Sequence, residues 1–92
     1  MEERTINAQA QLEKAAQAQA LMTNPVVTEI FERLESEYIA TWRGSAPQHG
    51  DERESAYFRL QALDAFRRDI QSIIDGGRIA EQTIRRSTRP RF

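Results

Sequence analysis

The chain has 92 residues and a formal charge of −1, no cysteine, and 39% apolar residues. One small domain fits that length, and without cysteine neither a disulfide framework nor a thiolate metal site can add to a modest core, so helix packing and self-association are left to supply stability. Twelve of the thirteen basic residues are arginine, and five of them, Arg78, Arg85, Arg86, Arg89 and Arg91, follow Gly76 with Glu81 as the one acid, so an acidic body precedes a basic end of about +4.

The segment 1–23 opens on MEERTINAQAQ, which is polar where a signal peptide needs an apolar core, and no run in the chain approaches the roughly twenty apolar residues of a membrane span. A soluble protein is expected, acting in the cytoplasm or in particles assembled inside a cell. From Glu2 to Met22, eight alanines or leucines are spread among glutamines, with no large apolar residue between Ile6 and Leu12 or between Leu12 and Leu21. This predicts a helix of high propensity and thin apolar face, which binds the rest of the chain weakly. It is either a solvated, frayed helix or one that approaches another helix, such as a neighbouring subunit's, through its alanines.

Asn24-Pro25 marks the next start, because asparagine caps a helix and proline suits the first helical position, where its missing N–H has no partner to lose. Val27, Ile30, Phe31, Leu34, Tyr38 and Trp42 then recur at three- and four-residue steps, with Glu29, Glu32, Arg33, Glu35 and Glu37 mostly on the other side. Gly44 to Gly50 is dense in turn formers and predicts a loop, after which a further helix begins at Asp51 with Glu54 three residues on. Its stripe is Ala56, Leu60, Leu63, Phe66, Ile70, Ile73 and Ile74. Two stripes joined by a short loop predict an antiparallel helical hairpin over 24–75, with Trp42 and Tyr57 closing its loop end. Gly76-Gly77 reads as a helix stop and residues 76–92 as an extended arm. The expected fold is therefore all-α: an Ala/Gln-rich helix, a helical hairpin and a basic arm.

Nothing in the sequence assembles a catalytic or cofactor site. His49 is the sole histidine and sits in a Pro/Gly loop without a nucleophile partner, while the acids Glu29, Glu32, Glu35 and Glu37 lack the Glu-x-x-His pair of a di-metal bundle and read as a solvated face. The arm is the candidate binding element, because the planar fork of arginine grips phosphate or carboxylate two bonds at a time, and Phe92 has no local core to join. The candidate site is thus Arg78, Arg85, Arg86, Arg89, Arg91 and Phe92.

Asn24-Pro25-Val26-Val27-Thr28-Glu29-Ile30-Phe31, with Leu34 to Trp42 and Leu60 to Arg67, resembles the small helical head-assembly and packaging proteins of tailed bacteriophages over about residues 21–77. The resemblance implies a component of a virion, or of the host cytoplasm during assembly, present in several copies. The ending Arg85-Arg86-Ser87-Thr88-Arg89-Pro90-Arg91-Phe92 looks like the basic, aromatic-ended tails of some phage head-to-tail joining proteins, although a helical body departs from their mixed fold. Two functions follow as expectations. One is a structural adaptor that packs on copies of itself or on a portal or capsid surface and threads its arm into an acidic groove. The other is a DNA-packaging factor of the small-terminase kind, whose arm neutralises phosphates, although the acidic body opposes that contact.

Overall fold

The computed structural model describes residues 2–88, which form three helices: α1 (Glu2–Thr23), α2 (Pro25–Gly44) and α3 (Gly50–Thr88). Among the described residues there is no strand, and no helix is long and apolar enough to cross a membrane. Two compact units result. One is Thr23–Arg68; the other joins the first 22 residues to α3 from Asp69 on.

The break between α1 and α2 is a single residue, and it follows the capping signal in the sequence. Asn24 is extended, and its Oδ1 accepts from the N–H groups of Val26 at 2.9 Å and Val27 at 3.3 Å, satisfying two donors that the start of α2 leaves free. Pro25 takes the first turn. At the other end of α2 the loop is tied down by Arg53, whose Nη1 donates to the carbonyl of Ala46 at 2.7 Å. α3 begins at Gly50, one residue before the expected start, with Asp51 and Glu52 in its first turn, where acids complement the helix dipole.

Within Thr23–Arg68, α2 runs antiparallel to the first part of α3. Phe31 meets Phe66 with ring centroids 5.7 Å apart, and Arg59 lies over Tyr38 at 5.9 Å, so rising numbers on α2 pair with falling numbers on α3. The antiparallel pairing of α2 with α3 is present here but ends at Arg68 and not at Asp75, because Ile70, Ile73 and Ile74 of the expected stripe belong to the other unit, and its filling also differs from expectation. Ala56 is buried, whereas Leu34 and Leu63 are only half-buried and Phe66 is exposed. The expected Trp42–Tyr57 closure is absent as well: both side chains are about half exposed, and Tyr57 has its ring contact with the neighbouring Phe58, centroids 5.9 Å apart.

In the other unit α1 also runs antiparallel to its part of α3. Glu3, Arg4, Asn7, Ala8 and Gln11 share a surface hollow with Thr83, while Ala15, further along α1, meets Gly77. Ala8, Ala15 and Ala18 are buried on one side and Ile70, Gly77 and Ala80 on the other. Both sets follow three- and seven-residue steps, the spacing of a helix–helix seam. The alanine face of α1 therefore has its partner within the chain, not only in solvent or on a neighbour.

Two expectations are corrected by α3. Gly76-Gly77 does not stop the helix: neither glycine has a positive φ, and α3 continues through both to Thr88. A glycine inside a helix costs about 1 kcal/mol relative to alanine, but here the cost is offset by packing, because a Cβ on Gly77 would collide with the Ala15 methyl and stand 3.8 Å from the Ala15 Cα. The segment read as an extended arm is accordingly helical as far as Thr88, and Arg89, Arg91 and Phe92 lie outside the described residues.

Candidate functional site, an apolar groove and a basic helix end

An open groove of about 450 Å³ runs between α2 and the first part of α3. Val27, Ile30, Phe31, Leu34 and Tyr38 form one wall, and Arg59, Ala62, Leu63 and Phe66 the other. Phe31 and Phe66 meet tilted at 39°, and no third element of Thr23–Arg68 covers the groove beside them. As a result α2, 20 residues long, has no buried residue at all, and Ile30 and Phe66 remain 40% and 54% exposed.

The polar groups around this contact are few and placed. Arg67 pairs with Glu35 across the two helices, and its guanidinium carbon lies 5.1 Å from the centroid of the Phe31 ring. Both charges are partly screened from water, so the pairing of α2 with α3 is held by a charge-assisted hydrogen bond as well as by the rings. Arg59 lines the groove itself, with its cation over the Tyr38 ring. On the open side Arg33 and Glu37 form an exposed pair at 3.6 Å. Apolar walls with an arginine in one and a carboxylate two turns along from Ile30 suit a helical partner that brings apolar side chains and complementary charges.

The sequence-predicted site divides in two. Arg78, Arg85 and Arg86 are exposed residues of the last turns of α3. Arg78 stands 3.9 Å from Asp75, and Arg85 donates to Glu81 at 2.8 Å. Acids of the same helix thus meet two of the three arginines, and exposed pairs of this kind contribute about 0.2–0.5 kcal/mol to the helix. The remaining three members, Arg89, Arg91 and Phe92, fall outside the described residues. His49 lies just before α3 with Nδ1 3.9 Å from a Glu52 carboxylate oxygen. Among the described residues no group of three His, Asp or Glu side chains is placed to hold a metal ion.

The groove is the feature that sequence reasoning passed over, since its residues read as core. A signal was present: each stripe was wider than one neighbouring helix can cover, and a two-helix hairpin offers each helix one neighbour. Comparison with protein-family models, with curated proteins and with solved structures gave no match.

Proposed function

We propose that this chain is a non-enzymatic adaptor of a tailed-phage particle, in its head, portal or head-to-tail region, working in several copies through helix packing. The observation that carries the reading is α2: a 20-residue helix with no buried residue and an open apolar groove beside it. Soluble domains seldom leave an apolar face of that kind uncovered unless it serves an interaction. The setting in a particle rests on the resemblance over residues 21–77, and the basic end of α3 supplies a second, anion-seeking contact to the same assembly.

The DNA-packaging reading draws on that basic end alone. It is weakened where Arg78 and Arg85 already meet Asp75 and Glu81, which lowers the charge available to phosphates. Two titrations decide between the readings. Solution mass measured with candidate portal and capsid proteins should give a complex, while fluorescence anisotropy with duplex DNA should give only weak binding. Tight DNA binding that falls steeply with salt, survives Arg85→Lys and Arg86→Lys, and occurs without any protein complex would overturn the adaptor.

A further inference from the structure

We infer that the groove between α2 and the first part of α3 is closed by the same groove of a second copy, forming a four-helix bundle about a two-fold axis that runs along the groove. The inference deepens the multi-copy reading above and rests on it. Its basis is that the two walls complement one another level by level. Contacts inside one chain set the levels: Phe31 is opposite Phe66, and Tyr38 is opposite Arg59. Ile30 therefore stands within one residue, about 1.5 Å, of the level of Phe66, and Leu34 lies as close to the level of Ala62; Glu37, two turns from Ile30 and so on the same face, lies as close to that of Arg59.

A two-fold axis along the groove exchanges the walls, so each α2 faces the second copy's α3 at the same level. Ile30 then packs on Phe66, both of which are now exposed to water. Leu34 fills the space above Ala62, whose single methyl leaves room for it. Glu37 meets Arg59, so opposite charges oppose at the rim. Among the described residues the Glu37 carboxylate pairs with the exposed Arg33, and an exposed pair of that kind is readily exchanged for one at an interface.

The area is sufficient. The 20 residues of α2 rise about 1.5 Å each, and two helices about 10 Å wide make a face of roughly 30 by 20 Å, about 600 Å² per copy. The pair buries about 1200 Å², the lower end of the range for specific, stable interfaces. A second copy brings its Arg59 to Glu37 and its Glu37 to Arg59, so both rims are matched in charge.

Sedimentation equilibrium on the full chain at micromolar concentrations tests this. The chain should be a dimer, and Ala62→Glu, which places a charge at an exposed helical position, should make it monomeric with unchanged helix content by circular dichroism. Arg59→Glu and Glu37→Arg should each weaken dimerisation about tenfold or more, and the two together should restore it to within a few-fold. A monomeric parent chain overturns the inference. An oligomer that ignores Ala62→Glu and the charge reversals overturns it too, while leaving the multi-copy adaptor standing; DNA binding in the titrations above removes the adaptor whatever the oligomeric state.

Discussion

α1 and α2 each lean on a stretch of α3, and they do so by opposite means. α1 uses the smallest side chains: Ala8, Ala15 and Ala18 face Ile70, Gly77 and Ala80, and all six are buried. α2 uses large ones, Phe31, Leu34 and Tyr38 against Leu63 and Phe66, and buries none of its own. Small residues let backbones approach until the contact is sealed, although burying three methyls contributes only about 2 kcal/mol. Large residues carry more apolar area but hold the helices apart, so much of that area stays wet until something covers it. The lesson is that a sealed contact marks a finished part of this chain, and an unsealed one marks where assembly is to be sought.

The most severe break in the comparison is Gly77→Leu. Where even a Cβ collides with Ala15, a leucine must force α1 away, at a cost of about 3 kcal/mol. Hydrogen exchange should show residues 8–18 losing protection while residues 30–38 keep theirs. Gly77→Ala with Ala15→Gly exchanges the colliding methyl between the helices, and it should recover most of the loss that Gly77→Ala causes alone. Recovery sharpens the claim that this contact is set by volume and not by helix propensity.

On the open side the same kind of test should be milder. Leu63→Ala in a sealed core would cost about 2–5 kcal/mol, but the side chain is half-buried, so about 1–2 kcal/mol is expected from urea unfolding of the monomeric Ala62→Glu background. A loss near the top of the sealed-core range would mean that the groove is filled within one chain. Next in size is the boundary residue: Asn24→Ala removes the acceptor for Val26 and Val27 and should cost about 1 kcal/mol, a fall of about 4–8 °C in Tm. The smallest effect has the opposite sign. Gly76 has nothing within 4 Å of a built Cβ and no positive φ, so Gly76→Ala should raise stability by about 0.5–1 kcal/mol, in contrast with its neighbour.

Local signals carried most of the helix boundaries. Asn24-Pro25 marked the start of α2, the Gly44–Gly50 turn formers marked the loop, and the three- and four-residue steps marked which faces of α2 and α3 meet. What failed was the reading of glycine. Gly76-Gly77 has the local chemistry of a stop, yet Gly77 sits where α3 meets Ala15, 62 residues earlier, and only a residue without a side chain fits there. That dependence is invisible in a window of a few residues, although Ile70, Gly77 and Ile84 at seven-residue steps, matched by Ala8, Ala15 and Met22, hold the trace of it. A stop at the glycines would leave the basic end extended, and its helical form follows once the glycines are helical, with Glu81 and Arg85 paired one turn apart. The groove was missed for a different reason. An apolar stripe in a sequence shows which face avoids water, but not whether the same chain covers it.

The central claim is that the unsealed contact is completed by a second copy with its walls exchanged, and cross-linking between two marked chains tests it most directly. The chain has no cysteine, so each engineered cysteine is unique. Leu34→Cys in one preparation and Ala62→Cys in another, mixed in equal amounts and oxidised gently, should give the mixed disulfide as the dominant product, because the inferred two-fold sets Leu34 of one copy against Ala62 of the other. The account is contradicted if the mixed disulfide forms no faster than the two self-linked products, or no faster than links from a cysteine placed at the exposed Ala10 of α1.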